Sequence, residues 1–225
     1  MDLSHYLHMQ LRLEGKYPIG NDLLKQVEIV PDEDMPLMLF AQLSDNQMIA
    51  YYDETLLSEI HTELAKRIQG IVFPEIEPLL DVLKAQNILF EIGHYKTYIF
   101  PSQFADLSNI NVICLHKHAP NVQAFGFDDF SDKIYAIERE GRIRAACVST
   151  RENEFCGEAW VYTDPEFRNR GFAQMVASIW ATNLISAGKV PFYSHKMENI
   201  ASANLANRLG LDPIFEEIVI SYGTV

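Results

Sequence analysis

Apolar and polar positions alternate from residue 155 to residue 162, with Phe155, Gly157, Ala159 and Val161 on one side and Cys156, Glu158, Trp160 and Tyr162 on the other. Such a two-residue period predicts a strand. Ten residues on, the period changes. Phe172, Val176, Ile179, Trp180, Leu184 and Ala187 recur at i, i+4, i+7, i+8, i+12 and i+15, one face of a helix of about four turns. Between the two lies Thr163-Asp-Pro and then a basic Arg168-Asn-Arg-Gly171 turn. After the helix come Gly188, a short strand over 191–195 and a second helix over 199–211, with Gly210 as its C-cap.

The same reading covers the rest of the chain. Leu3, Tyr6, Leu7 and Leu11 mark an amphipathic N-terminal helix, and residues 1–86 read as mostly helical. Residues 31–70 are rich in Leu, Met, Ala, Gln and Glu and reach Gly70 without another glycine, which favours helices. One helix is expected from Asp53 towards Arg67 and another over 75–86, with a break at 71–74. Residues 88–92 and 95–100 suggest a hairpin about Gly93-His94. A connector follows over 101–120, within which 111–115 could be a strand, and a turn is expected at 125–130. Strands over 133–138 and 142–149 are joined at Glu140-Gly141, residues 151–154 form a polar turn, and the last strand runs over 214–222. Strand, strand, strand, turn, helix, strand, helix, strand predicts an α/β (α+β) fold, a mixed sheet with helices packed on it. Two regions are expected: 1–110, mostly helical with a hairpin, and 111–225, which carries the sheet.

A strand-to-helix turn has chemistry of its own. The first amides of a helix lack intrahelical partners and sit at the positive end of its dipole. Gly171 lets backbone approach a ligand, and Arg168 and Arg170 add fixed charge. A diphosphate would suit such a place; a solvated basic turn that happens to precede a helix is the competing reading.

The spacing Arg168-x-x-Gly171-x-Ala173, followed by Asn199 and the Leu209-Gly-Leu211 corner, resembles the GNAT superfamily of acyl-CoA-dependent N-acyltransferases, across about half the chain. The resemblance implies a mostly antiparallel mixed sheet flanked by helices, acetyl-CoA as co-substrate and an amine-bearing small molecule or peptide as acceptor. It implies that the backbone of Trp160, Val161 and Tyr162 holds the pantetheine and polarises the thioester. Arg168, Asn169, Arg170, Gly171, Phe172 and Ala173 would hold the diphosphate, and Asn199 and Ser202 the pantetheine amides, with Asn199 equally suited to capping its helix. One departure stands out. Many members carry a Tyr seven residues after that Asn, used to protonate the leaving thiolate, and here the position is Ala206. Tyr193 and His195 are candidate replacements, though each could be a plain strand residue. Glu158, on the face of Trp160 and Tyr162, is the candidate base for the amine; pairing with an Arg of a neighbouring strand is its competing role.

Composition narrows the picture. The 225 residues are 48 % hydrophobic and 22 % charged, an ordinary globular balance, and without a signal-peptide pattern at the N-terminus or a spanning apolar stretch the expected location is cytoplasmic. Net charge is −13, which argues against nucleic acid or an anionic membrane as partner. Residues 1–110 hold 7 basic against 17 acidic residues and the remainder 11 against 14, a bias that suits a cationic substrate or plain solubility. Cys114, Cys147 and Cys156 read as reduced and buried, and His116 with His118 lacks a third ligand, so no metal is expected. Gly-x-x-x-x-Gly-Lys-Ser/Thr, Gly-x-Gly-x-x-Gly and Gly-x-Ser-x-Gly are all absent. The expected function is therefore transfer of acetyl from acetyl-CoA to a primary amine, with a non-catalytic acyl-CoA-binding module as the rival. A degenerate acyltransferase half in the N-terminal portion and a homodimer are open options.

Overall fold

The computed structural model describes residues 2–28, 35–102, 111–123 and 132–223. Contacts divide the chain into Met1–Lys96 with Ile214–Val225, and Thr97–Pro213. The division falls at 96 instead of 110, and the last strand joins the first unit.

The first unit opens with α1 (Leu3–Leu13), capped by Asp2, whose Oδ1 accepts from the Ser4 amide at 3.0 Å. Its apolar side buries Tyr6, Leu7 and Leu11, as the spacing predicts. Strands β1 (Lys16–Ile19), β2 (Leu23–Gln26), β3 (Pro36–Leu43) and β4 (Met48–Asp53) follow, then helices α2 (Ser58–Ile68) and α3 (Glu77–Ala85). β5 (Phe90–Ile99) starts in this unit and ends in the other, and β11 (Asp212–Tyr222) closes the chain. The strands order as β1-β2-β4-β3-β11, and Leu37, Met38, Phe40, Tyr52, Leu64, Leu79 and Leu83 form the core beneath α2 and α3.

Three expectations fail here, each for a physical reason. Residues 36–43 and 48–53 are strands, not helices. Leu, Met and Ala do favour helix, but β3 is buried along nearly its whole length and pairs with β4 on one side and β11 on the other, so packing overrides propensity. Asp53 ends β4, its Oδ1 accepting from the Thr55 amide at 2.8 Å, and the helix begins only at Ser58. Gly93 is no turn: β5 runs straight through it. A Cβ there would lie 2.3 Å from the Tyr95 ring, so the glycine makes room for that ring inside a strand.

The second unit holds the end of β5, then β6 (Ile113–His116), a short α4 (Pro120–Gln123), β7 (Lys133–Arg139), β8 (Arg142–Glu152), β9 (Cys156–Thr163), α5 (Phe172–Ser186), β10 (Val190–Lys196) and α6 (Ile200–Leu209). The strands order as β10-β9-β8-β7-β6. Glu140 and Gly141 both adopt left-handed φ (56° and 69°), the geometry of a two-residue hairpin turn. β6 to β9 are antiparallel, while β9 and β10 are parallel with α5 as the crossover. α5 buries Val176, Ala177, Trp180, Ala181 and Leu184 against Ala145, Cys147 and Ala159 on one face of the sheet. Val122, Ile134, Ala136, Ile143, Ala146 and Val148 form a second cluster, with Tyr162 packed on it. The three cysteines are free; Cys147 and Cys156 are buried, but Cys114, on the end strand β6, is exposed, contrary to expectation. The turn expected at 125–130 and most of the connector before β6 lie outside the described residues.

Candidate functional site

The parallel strands β9 and β10 pair only as Val190↔Cys156, Pro191↔Gly157 and Phe192↔Glu158. Beyond those pairs the two part. β9 remains paired to β8 as far as Thr163↔Ala145, so from Ala159 onward one edge of β9 has no strand partner. Where two parallel strands part, the gap between them can admit an extended ligand alongside the backbone. At the closed end of this wedge sits Gly157, where a Cβ would come within 3.1 Å of Leu184 and 3.3 Å of Glu152; the glycine lets α5 pack down on the sheet.

The open end leads into the basic turn. Asp164 accepts from the Glu166 amide (3.0 Å) and holds a single 3₁₀ turn over Pro165–Phe167. Asn169 (φ 61°) and Gly171 (φ 78°) then swing the chain through left-handed conformations into α5. Gly171 stands where a helix usually has a capping side chain, and it has none to offer. Among the described residues no acceptor lies within hydrogen-bond reach of the amides of Asn169 to Gln174. Six donors thus stand open at the start of a fifteen-residue helix, its positive end.

A cavity of about 390 Å³ joins wedge and turn, within the size range of small-ligand clefts. Val161, Tyr162 and Thr163 line it from β9, and Phe167, Arg168, Asn169, Gly171, Phe172, Ala173 and Gln174 from the turn and α5. Tyr193 comes from β10, and Ala201, Ser202, Asn204, Leu205 and Arg208 form one stripe along α6. Gln174 donates to the Arg208 carbonyl at 3.0 Å, so the last turn of α6 sits beside the first turn of α5. Arg168, Arg170 and Arg208 have no carboxylate partner among the described residues, in a chain with 31 acidic residues against 18 basic. Guanidiniums without carboxylate partners beside open amides are chemistry suited to an anion.

Residues 127–217 match the family model for GNAT acetyltransferase. Over this segment, less than half of the chain, the sequence is similar to that family. No curated protein matches the chain. Among solved structures, a GNAT-family acetyltransferase from Novosphingobium aromaticivorans is 17 % identical, 60 % of this chain aligning with 66 % of that one, just under two thirds, at TM-score 0.49. One from Colwellia psychrerythraea aligns over 99 % of this chain and 98 % of its own at 10 % identity and TM-score 0.49. A GCN5-related N-acetyltransferase-like protein from Streptococcus suis aligns over 99 % and 100 % at 14 % identity and TM-score 0.49. Acyl transfer from acetyl-CoA is the general chemistry of the GNAT family.

Of the residues singled out in the sequence, Val161, Tyr162, Arg168, Asn169, Gly171, Phe172, Ala173, Tyr193 and Ser202 come together at the cavity. The others do not line it. Arg170 lays its guanidinium over the Phe167 ring (4.7 Å) and donates to the Glu166 carbonyl (3.1 Å). Trp160 is 38 % exposed and stacks on Tyr162, rings 6.2 Å apart and 10° from parallel. Asn199 caps its helix, accepting from the Ser202 amide at 3.1 Å. His195 is buried and stacked on Tyr98; its Nδ1–H donates to the Lys196 carbonyl (2.8 Å), and Nε2 faces the Tyr98 hydroxyl (3.3 Å). Glu158 is 4 % exposed and ion-paired with Arg151, which stands directly opposite in the β8–β9 register. By strand alternation it lies on the sheet face opposite α5, at the last residue pair before the strands part.

Ala206 is fully buried in the apolar cluster that also holds Tyr193 and Trp180, so α6 presents no phenol where many GNAT members have one. Tyr193 supplies a phenol from the adjacent strand. Burial pushes its pKa up to about 12, against which a hydrogen bond with Ser202 pulls weakly. Among the contributors that escaped the sequence reading are Thr163, Phe167, Gln174 and Arg208, the last of which resembles any basic residue in the last turn of a helix. Among the described residues there is no cluster of three metal-ligating side chains, and no helix long and apolar enough to cross a membrane.

Proposed function

We propose that the protein transfers the acetyl group of acetyl-CoA directly to a primary amine of a small molecule or peptide. The observation that carries this reading is the continuity of the β9–β10 wedge with the unbonded amides at the start of α5. A diphosphate at the turn would leave the pantetheine to run along the α6 stripe and into the gap where β9 and β10 part, with its thioester at the apex near Tyr193. Holding both reactants there supplies much of the rate through proximity. A β9 amide polarises the thioester carbonyl. The amine nitrogen attacks the carbonyl carbon, the tetrahedral intermediate collapses, the C–S bond breaks, and the thiolate leaves.

Acid and base come from opposite faces of the sheet. Tyr193 lies on the α5 side and Glu158 on the other. A phenol at about 12 is a weaker acid than a thiol at about 8.5, so Tyr193 steadies the leaving thiolate with a hydrogen bond and solvent delivers the proton. Glu158 is the carboxylate offered to the amine as base, with Arg151 holding its orientation. His195, turned onto Tyr98 and the Lys196 carbonyl, acts behind Tyr193. Acceptor choice is assigned to residues 1–110.

A second reading, a non-catalytic acyl-CoA-binding module, draws support from the burial of Ala206 and from the Arg151 pairing of Glu158. The two readings separate in one experiment. Acetyl-CoA raises the melting temperature under both, but only the enzyme releases free CoA when offered a panel of polyamines, amino acids, aminoglycosides and peptide N-termini. Release with any of these supports the transferase; stabilisation without release across the panel favours the binding module.

A further inference from the structure

The basic turn is braced from outside itself. Arg144, on β8, donates from Nη1 to the Asp164 carboxylate at 2.7 Å, and the Asp164 amide donates back to the Arg144 carbonyl at 2.8 Å. Asp164 in turn holds the 3₁₀ turn, its Oδ1 accepting from the Glu166 amide (3.0 Å) and its carbonyl from the Phe167 amide (2.8 Å). The Arg144 guanidinium also lies 4.6 Å from the centre of the Phe167 ring, and that of Arg170 lies 4.7 Å from it. Phe167 stacks on Phe172, rings 6.0 Å apart and 26° from parallel.

The chain order gives these contacts their meaning. Arg168 to Gly171 lie between Phe167 and Phe172, so the ring stack pins both ends of the four-residue turn. Arg144 then ties that pinned unit to the sheet. Its own side chain is only 12 % exposed, and its Nε is buried without a partner among the described residues. An orphaned donor of this kind costs free energy, so the residue is not placed there for its own hydrogen bonding. Donors stabilise a charge best when they are held in place before it arrives, and here the holding is done by a residue that does not line the cavity.

We propose that Arg144 is a positioning residue for the anion-binding turn, acting through Asp164 and Phe167 to hold the Asn169–Gln174 amides for the diphosphate of the acyl donor; this rests on the anion-site reading above. A lysine would keep the charge but not the planar fork that reaches a carboxylate and a ring face together.

The test compares two thioesters, one with and one without the 3′-phosphoadenosine diphosphate. Acetyl-CoA carries the diphosphate and S-acetylpantetheine does not. Dissociation constants for both are measured on the wild type and on Arg144→Gln, Arg144→Lys and Asp164→Asn. In each variant acetyl-CoA should weaken about tenfold, the scale of one charge-assisted contact, while S-acetylpantetheine is unchanged. Should Arg144→Gln fail to fold, Asp164→Asn, which removes the carboxylate partner of Arg144 while keeping an oxygen for the Glu166 amide and does not line the cavity, decides the matter. Equal weakening of both thioesters, or full affinity for acetyl-CoA in the folded variants, would overturn the positioning role. A wild type that binds the two thioesters equally would instead remove the anion site, and this inference with it.

Discussion

Two helices of the second unit begin within thirty residues of each other and do opposite things with their first amides. α6 is closed. Asn199 takes the Ser202 amide with its side chain and the Ala203 amide with its carbonyl, and the Ile200 amide bonds the Glu198 carbonyl. Glu198 beside it would repel an anion. α5 is open. Gly171 has no side chain to cap with, the amides from Asn169 to Gln174 have no acceptor among the described residues, and guanidiniums flank them. Every helix has a positive end; what turns one into a binding site is that the chain withholds its own cap. On the proposed reading, Asn199 would serve the ligand only at second hand, by fixing the α6 stripe that carries Ser202 and Arg208.

The contrast can be broken most severely at Gly171. Valine there faces no clash, since the nearest atoms to its Cβ lie at 3.9 and 4.0 Å, but φ is +78° and a β-branched residue resists it. The turn should rearrange, and acetyl-CoA affinity should fall by about a hundredfold or more, the loss of several amide contacts at ~1 kcal/mol each. Calorimetry would show it, with circular dichroism unchanged.

Tyr193→Phe comes next. Turnover should fall by about tenfold, one lost hydrogen bond to a developing charge, with acetyl-CoA affinity within twofold. Its pH signature is separate. The folded phenol titrates near 12 against about 10 unfolded, so its contribution to stability is fully present below pH 10 and is lost as pH rises through 12. Removing the hydroxyl should flatten that part of the alkaline melting curve.

Arg208→Ala should weaken acetyl-CoA by roughly three- to tenfold, and high salt should shrink the difference, because an exposed guanidinium is screened. Smallest at the ligand is Asn199→Ala. Loss of the cap should cost about 1 kcal/mol of stability, read as a lower melting temperature, with affinity within twofold. A large fall in affinity from Asn199→Ala would erase the distinction between the two helix starts.

What the sequence disclosed and what it hid follow a physical line. The period change between Val161 and Phe172 and the Gly171 spacing are local signals, and β9, the turn and α5 stand where those signals put them. β3 was hidden because Leu, Met and Ala say helix until two neighbouring strands are present. Gly93 looked like a turn because the Tyr95 ring over it is invisible in one dimension. The partners of the site were the least legible. Arg144 and Asp164 are twenty positions apart, Gln174 and the Arg208 carbonyl thirty-four, and neither pair has a motif. Glu158 was placed on the correct strand, but its ion pair follows from the β8–β9 register, in which Arg151 arrives opposite it only through a shift after Ser149.

The central claim concerns six backbone amides, and they can be watched directly. In a ¹⁵N-labelled sample titrated with acetyl-CoA, the resonances of Asn169 to Gln174 should show the largest shifts in the chain, while that of Ala203, bonded to the Asn199 carbonyl and outside the cavity lining, moves little. Saturating acetyl-CoA with the Asn169–Gln174 resonances unmoved would contradict the account.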